Sequence, residues 1–398
     1  MPLNSYHRSL LYLIVVVVLL QTVVVWMGDL SRPPWGDESH FVATVRLFGQ
    51  GMTLDTIRHY PEMSTPLPFM LYSVWGQLVG FELPALRILS LLIALLSYLL
   101  FHRLLFIVLC DGTVAFLATA FLAVHPYMVG FSIFVFTDGL AIMLVITALL
   151  AVVRGRPLLL FLSLAGALLC RQYMVYFVLA CLGYYTAIAF RRKDTRAVIM
   201  AAVSLLSMLP LIGLFLFWGG FTPDSPLRAR YLDTGLYFHP SYLVLYIALL
   251  SVYLLPVLIA RWRELYSRRS VLICLVISAA YFLAPVAPSK YAVAIDVHTV
   301  GLFHKLLVRV NDAGWFSQAV FYPAFLLALP LLWFVVRDLW RRLRDNSLAL
   351  PLLLDLVILL FLIVMPFSYL NWEKYLMPLL PAAILRLAMI GRPARFTA

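Results

Sequence analysis

Long apolar runs recur along this chain and constrain its fold more than any other feature. Residues 10–26 and 348–365, for example, approach the roughly 20 apolar residues with which a helix crosses the hydrocarbon of a bilayer. Over the whole chain 64% of the residues are hydrophobic and 12% are charged, whereas a soluble domain has about 25% charged residues. A water-soluble fold is therefore excluded. Because the runs are continuous rather than alternating, helices are expected to make the crossings.

We predict an all-α polytopic membrane protein with about 12 transmembrane helices. The predicted spans are 10–27, 84–101, 112–125, 131–153, 157–170, 173–190, 197–217, 241–260, 270–286, 319–336, 348–365 and 375–390. The first run is expected to remain as the first helix, because residues 25–29 lack the small-x-small pattern of a cleavage site. The sequence contains no fixed-period repeat and no soluble appendage, so a single membrane domain over 1–398 is predicted.

The basic residues predict an orientation in the membrane. Roughly eighteen of the 30 Lys and Arg residues fall in short loops on one side of the predicted spans, which the positive-inside rule assigns to the cytoplasm together with both termini. Acidic residues and histidines collect on the opposite side, where residues 28–83, 218–240 and 287–318 form longer segments typical of interfacial amphipathic helices. The net charge of +12 is thus explained by topology. Membrane lipids are the expected partners, and binding to nucleic acid is not expected.

The segment from Trp35 to His40 contains the strongest candidate site, just beyond the first span. One interpretation of its two adjacent acids is helix capping, since carboxylates are favourable at a helix N-terminus. The other is that Asp37 is a general base that removes a proton from an acceptor hydroxyl, while Glu38 or His40 orients the site. Residues 37 and 38 cannot share one helix face, so the two acids are expected to have different surroundings.

Two further charges lie inside apolar stretches: Asp138, which follows Thr137, and Arg171, which precedes Gln172. An ionised side chain in the bilayer costs about 2.5–3.5 kcal/mol or more, so each should face a partner or a polar cavity. Structural pairing is the simplest interpretation of Asp138. Arg171 fits a phosphate group bidentately, and neutralisation of Asp138 is its alternative role.

Candidates in the second half of the chain carry a weaker signal. Lys374 is predicted either to hold a phosphate or to extend its amine to the membrane surface. His239 closes a segment for which a solvated loop is the alternative to substrate binding. The other charged residues of that segment are Asp224, Arg228, Arg230 and Asp233. Asp355 is predicted to be a polar group in helix packing.

Four stretches in roughly the first half of the chain resemble motifs of a known family and have the same order and spacing. They are residues 37–40, 61–68, 125–138 and 171–172; in the second half 218–220 and 375–378 are also similar. The chain resembles GT-C superfamily membrane glycosyltransferases, most of all the dolichyl-phosphate-glucose alpha-1,2-glucosyltransferase group. It departs from that group in having His40 one place closer to the acidic pair, and Tyr173-Met174 where the group has Thr-Asn after Arg-Gln.

The resemblance implies a GT-C fold and an inverting transfer of a sugar from a polyprenyl-phosphate donor to a hydroxyl of a lipid-linked or cell-envelope glycan. It implies Asp37 as base, and catalytic carboxylates at Glu38 and Asp138. The substrate is expected to be held by polar side chains on the same face of the membrane: His40, Arg171, Gln172, Lys374 and His239. The active site would face the periplasm or a lumen, and the lack of Asn-x-Ser/Thr sequons permits a bacterial inner membrane. The sequence leaves undecided whether a divalent cation, Mg²⁺ or Mn²⁺, bridges Asp37, Asp138 and the phosphate.

Two other function classes are compatible with this sequence. A transporter or lipid flippase suits twelve helices with charges inside spans, but such proteins are expected to show two similar halves and discontinuous helices. No such symmetry is found in the sequence, and its polar residues collect on one face. A non-enzymatic scaffold would not need Asp138 and Arg171 inside apolar stretches, so glycosyl transfer is the favoured prediction.

Overall fold

A computed structural model describes residues 2–228 and 237–392. Over these residues the protein is an all-α, multi-pass membrane protein. No strand occurs in these ranges. Eight helices within them are long and apolar enough to cross a membrane, and a bent pair of shorter helices makes a ninth if it is counted as one span. The eight spans are Ser5–Gly28, Leu83–Leu109, Thr137–Arg154, Gln172–Arg192, Thr195–Trp218, Pro240–Ala260, Gly314–Arg344 and Leu350–Phe367. The span Thr195–Trp218 is interrupted after Leu206 and consists of two consecutive helices. The predicted fold class is confirmed at this level.

The chain divides into two compact units. The N-terminal unit comprises Met1–Val178 and Thr195–Arg230, and the C-terminal unit comprises Leu179–Asp194 and Tyr231–Ala398. Arg230 and Asp233, noted in the sequence near His239, lie outside the described residues.

The N-terminal unit contains helices α1 to α9, the start of α10, α11 and α12. Their bounds are α1 Pro2–Gly28, α2 Glu38–Gln50, α3 Leu54–His59, α4 Leu67–Val79, α5 Leu83–Leu109, α6 Gly112–Ala123, α7 Pro126–Ile133, α8 Thr137–Arg154, α9 Pro157–Cys170, α10 Val175–Arg192, α11 Thr195–Leu206 and α12 Leu209–Trp218. A 3-10 turn, Gln172–Met174, precedes α10.

The breaks between these helices have local causes. Helices α6 and α7 meet at 71°, because a residue before proline disfavours the helical conformation and Pro126 follows His125. The imidazole of His125 then caps α7 by accepting a hydrogen bond from the backbone N–H of Tyr127. Helix α8 ends at Arg154, and Gly155 follows it with a φ of +57°, a left-handed conformation suited to glycine.

The predicted helix over 131–153 is wrong at its start, because α8 begins only at Thr137 and α7 ends at Ile133. Phe134 and Phe136 between them are extended. Side chains satisfy the backbone of this linker in place of helical bonds: Ser90 donates to the carbonyl of Phe134, and Glu38 accepts from the N–H of Val135.

The segment 28–83, predicted to hold amphipathic helices, contains α2, α3 and α4. The apolar face of α2 packs within the unit, where the Phe41 ring lies 5.7 Å and the Phe48 ring 6.3 Å from that of Phe69 on α4. The loop before α4 is tied to α9 by Thr65, whose hydroxyl donates to the carbonyl of Leu168.

The C-terminal unit contains the rest of α10 and helices α13 to α20. Their bounds are α13 Pro240–Ala260, α14 Trp262–Leu265, α15 Arg268–Ile277, α16 Lys290–Ala294, α17 Leu302–Val310, α18 Gly314–Arg344, α19 Leu350–Val364 and α20 Leu380–Ala388. The predicted spans 270–286 and 375–390 are not continuous α-helices. Ser278–Leu283 and Glu373–Leu379 are 3-10 turns, and Pro378 in the second has no N–H to donate.

Candidate functional site

The N-terminal unit has two polar ends. At one, the acidic-motif end, the starts of α2, α5 and α8 meet the ends of α9 and α12, and the Trp218 indole donates to the carbonyl of Ile57 at 2.8 Å. At the other, the arginine end, α8 ends, α9 and α11 begin, and Arg196 donates to the carbonyl of Gly155 at 2.7 Å. The N-terminal candidates Asp37, Glu38, His40, Asp138, Arg171 and Gln172 all lie at the acidic-motif end.

Asp37 and Glu38 differ in exposure to solvent, as expected of adjacent residues that cannot share one helix face. Asp37 is exposed at the N-cap of α2, where its side chain makes no capping hydrogen bond. His40, one turn further along, is also exposed. Glu38 is wholly buried. In this motif, Asp37 is therefore the carboxylate that a ligand can reach.

Glu38 is held by a buried ion pair with Arg87 of α5. Its two carboxylate oxygens accept from Arg87 Nε at 3.0 Å and Nη2 at 2.7 Å, and also from the backbone N–H groups of Val135 and Trp35. Arg87 Nη1 donates in turn to the carbonyls of Leu30 and Arg32, each at 2.8 Å. The pair thus joins the loop before α2, the start of α5 and the linker before α8, which suits Glu38 to position the motif.

Asp138 and Arg171 form a second buried ion pair, at 2.6 Å. Asp138 lies in the first turn of α8, where the helix dipole favours a carboxylate. Arg171 is extended between α9 and the following 3-10 turn, and this interruption directs its side chain into the unit. The expected structural pairing of Asp138 is present, and it places an arginine at the acidic-motif end.

Gln172 fixes the neighbouring loops to this pair. Its amide donates to the carbonyl of Met63 at 2.6 Å and to that of Phe221 at 3.3 Å, while the Tyr173 hydroxyl lies 3.4 Å from Asp138. Gln172 thereby connects the 61–68 stretch to the interrupted α9–α10 junction, a contact between residues 109 positions apart that sequence spacing does not reveal.

The two ion pairs are connected through the 134–136 linker. Val135, bonded to Glu38, lies just ahead of Asp138, and the ring of Phe134 stacks on that of Trp35 at 5.5 Å. The ring of Phe136 meets that of Phe41 edge-on at 5.8 Å. Asp37, Asp138 and Arg171 therefore belong to one packed region.

The remaining candidates, His239 and Lys374, belong to the C-terminal unit. His239 precedes α13, and its ring stacks on Tyr242 with 4.5 Å between centroids. Partial burial, together with the nearby charge of Lys290, lowers the pKa of His239, so the neutral ring is favoured. Lys374 is half-buried beside the wholly buried Glu373.

Glu373 is a structural carboxylate that sequence reasoning missed. It accepts from the backbone N–H groups of Phe303 and His304 at 2.8 and 2.9 Å, at the start of α17, and from the Tyr253 hydroxyl at 2.6 Å. The imidazole Nδ1 of His304 accepts from the N–H of Val300. A signal was present in the sequence, since Glu373 and Lys374 are the charged residues of an aromatic, apolar stretch, where charges need partners.

The packing role predicted for Asp355 is confirmed, but its partners were not predicted from the sequence. Asp355 accepts from Arg386 Nε at 2.6 Å, and Arg386 Nη2 also bonds Asp338 at 2.6 Å. All three side chains are buried. Asp338 additionally bonds Arg342 of its own helix at 2.7 Å.

Comparisons of the chain with protein-family models, with curated proteins and with solved structures found no match.

Within residues 2–228 and 237–392 no three His, Cys, Asp or Glu side chains come together as ligands for a metal ion. The Asp138 carboxylate is engaged by Arg171. The divalent cation considered from the sequence stays a prediction.

Proposed function

We propose that this chain is an inverting GT-C glycosyltransferase that moves a sugar from a polyprenyl-phosphate donor to a hydroxyl of a lipid-linked or cell-envelope glycan. The observation that carries the proposal is the exposed Asp37, which stands next to the locked Glu38–Arg87 pair in the same packed region as Asp138 and Arg171. The GT-C fold, twelve crossings, a single domain and a site facing the periplasm or a lumen belong to this proposal.

In the proposed reaction Asp37 acts as the general base. It takes the proton of the acceptor hydroxyl while the hydroxyl oxygen attacks the anomeric carbon. The bond from that carbon to the phosphate oxygen breaks, the electron pair leaves with the polyprenyl phosphate, and the anomeric configuration inverts. The rigid pair behind Asp37 supports this role, because a base is effective only when it is held in position.

Arg171 is the proposed cation for the departing phosphate. Positive charge aimed at the oxygen on which negative charge develops lowers the barrier to transfer. In this proposal Asp138 orients the guanidinium through their 2.6 Å contact. His40 and Gln172 are proposed to contact the substrate at the same end of the unit, while the roles of His239 and Lys374 in the C-terminal unit stay predictions from the sequence.

The test is the Asp37→Asn variant in purified, reconstituted protein, assayed with a panel of polyprenyl-phosphate sugars and a lipid-linked glycan acceptor. Loss of a general base is expected to lower turnover by about 10²- to 10⁴-fold, since the amide cannot take up the proton. Asp55→Asn, which changes an exposed acid of the same segment (side chain 87% exposed), is the matched control and should keep its activity. Undiminished turnover by Asp37→Asn would remove Asp37 from the mechanism.

A transporter or lipid flippase is the second candidate, and interrupted helices favour it. The α6–α7 pair bends by 71°, and the chain is broken at Arg171 beside a buried charge, features that transporters use at substrate sites. Sugar transfer by the protein in detergent micelles, where no compartments exist, supports the transferase. Mass spectrometry of co-purified material that finds a soluble cargo, with no transfer in micelles, supports transport.

A further inference from the structure

A cavity of about 440 Å³ lies at the arginine end of the N-terminal unit, away from the candidate site. Its lining combines two kinds of side chain: Arg154, Arg156 and Arg196, and the leucines Leu158, Leu159 and Leu162. The described residues that line it include no carboxylate. This combination of cations and aliphatic surface is not used by the proposed reaction.

The turn between α8 and α9 brings the arginines together. Arg154 ends α8, Gly155 takes a left-handed conformation, and Arg156 precedes Pro157 at the start of α9. Arg196 of α11 crosses the turn and donates to the carbonyl of Gly155 at 2.7 Å. A Cβ on residue 155 would lie 2.2 Å from Arg196 Nη2, so glycine at this position lets the guanidinium lie against the backbone.

Several positive charges lie close together at this end. Arg154 interacts electrostatically with Arg156 and also with Arg103 of α5. Clustered like charges repel, and an anion bound among them relieves that repulsion. Phosphate suits such a cluster because guanidinium groups bond its oxygens bidentately.

The leucines extend the cavity along α9. Leu158 is 69% exposed and Leu162 is 55% exposed, and their spacing of four residues places them on one helix face. Exposed aliphatic side chains next to arginines match a molecule with an anionic head and an apolar tail. A free phosphate would use the arginines alone.

We propose that this cavity binds an anionic phospholipid, with the headgroup phosphate on Arg154, Arg156 and Arg196 and an acyl chain along Leu158 and Leu162. The arginine-rich loops assign this end to the cytoplasmic side, so the lipid comes from the cytoplasmic leaflet. Basic pockets between transmembrane helices on that side are known sites for anionic headgroups. The proposal does not depend on the glycosyltransferase activity.

The test titrates phosphatidylglycerol, phosphatidylcholine and glycerol 3-phosphate against the full chain in detergent, with native mass spectrometry as the readout. The Arg154→Gln/Arg156→Gln variant is expected to bind phosphatidylglycerol roughly thirtyfold more weakly, with phosphatidylcholine unaffected. Arg268→Gln/Arg269→Gln removes the same charge from exposed positions of the C-terminal unit and should change binding by less than about twofold. Thermal unfolding establishes that both variants are folded.

Two further measurements separate a lipid from a soluble anion. Leu158→Ala/Leu162→Ala should weaken phosphatidylglycerol binding and leave glycerol 3-phosphate binding unchanged, and a photoreactive phosphatidylglycerol should crosslink the wild-type chain within residues 154–162. Three outcomes would each overturn the proposal. The two double-arginine variants could lose phosphatidylglycerol binding equally, glycerol 3-phosphate could bind as tightly as the lipid, or the crosslinks could all lie outside residues 154–162.

Discussion

The buried carboxylates Glu38, Asp138 and Asp355 are each paired with an arginine. Glu38 bonds Arg87, Asp138 bonds Arg171, and Asp355 bonds Arg386. A buried pair is weak evidence for stability, but removing one partner leaves a charge without compensation and is strongly destabilising.

Arg87→Ala should destabilise the protein by about 3–5 kcal/mol, because it leaves the buried Glu38 carboxylate without its counter-charge and the carbonyls of Leu30 and Arg32 without their donor. Thermal or denaturant unfolding in detergent measures the change. Arg32→Ala, at an exposed position of the same loop, should stay within about 0.5 kcal/mol of wild type. Equal stability of Arg87→Ala and Arg32→Ala would show that the ion pair does not hold the motif.

Arg386→Met should also destabilise the protein by about 3–5 kcal/mol, since two buried carboxylates, Asp338 and Asp355, lose their shared partner. Adding Asp338→Asn and Asp355→Asn should restore part of that loss, because neutral amides tolerate burial better than carboxylates. The exposed Arg344→Met is the control. A triple variant less stable than Arg386→Met would contradict this explanation.

At the scale of elements, function depends on where helices are interrupted. The extended 134–136 linker and the break at Arg171 supply the backbone and side-chain groups that surround the two ion pairs of the N-terminal unit. In the C-terminal unit Glu373 and His304 similarly hold the start of α17. An interruption exposes backbone groups, and in these three places side chains bond them.

The start of α17 should loosen in acid through His304. Burial lowers the pKa of His304, and its Nδ1 accepts a hydrogen bond that only an unprotonated nitrogen can accept. Because the folded pKa lies below the unfolded value of about 6.5, the stabilisation is present above that pH and is lost as the pH falls through the folded pKa.

Amide hydrogen exchange of residues 300–306 between pH 7.5 and 5, corrected for the intrinsic rate, measures this loosening. His304→Gln should flatten the pH dependence, whereas His298→Gln, at an exposed histidine, should leave it unchanged. A dependence that persists in His304→Gln would assign the effect to another group.

At the scale of the whole molecule, the distribution of arginines predicts which face of the membrane carries Asp37. A native cysteine provides the reference, since Cys110 at the end of α5 is exposed while Cys170, Cys181 and Cys274 are buried. Cys110 lies in a loop assigned to the cytoplasm by the positive-inside rule.

A membrane-impermeant maleimide should therefore label Cys110 only from the cytoplasmic side. In a Cys110→Ser background, Ser39→Cys, at an exposed position beside Asp37, should be labelled only from the opposite side. Cys110→Ser alone is the unlabelled control. Cytoplasmic labelling of Ser39→Cys would exclude a periplasmic or lumenal active site.

The candidate residues were predictable one at a time, but their partners were not. A charge inside an apolar run is conspicuous, which is why Asp138, Arg171 and Asp355 stand out in the sequence. Arg87 and Glu373 were missed as structural groups, although each is wholly buried. Arg87 lies near the start of α5, where an arginine is equally expected at a membrane surface.

The sequence by itself determined that this is a helical protein of many membrane crossings, because the hydropathy of a run is a local property and a helix satisfies its own backbone in lipid. Only the tertiary structure decided which acid is buried and which is exposed, and which cation meets each one. Those contacts join residues 49 positions apart for Glu38 and Arg87 and 97 for Glu38 and Val135. Such separations are set by how the helices pack, and residue spacing along the chain carries no record of that.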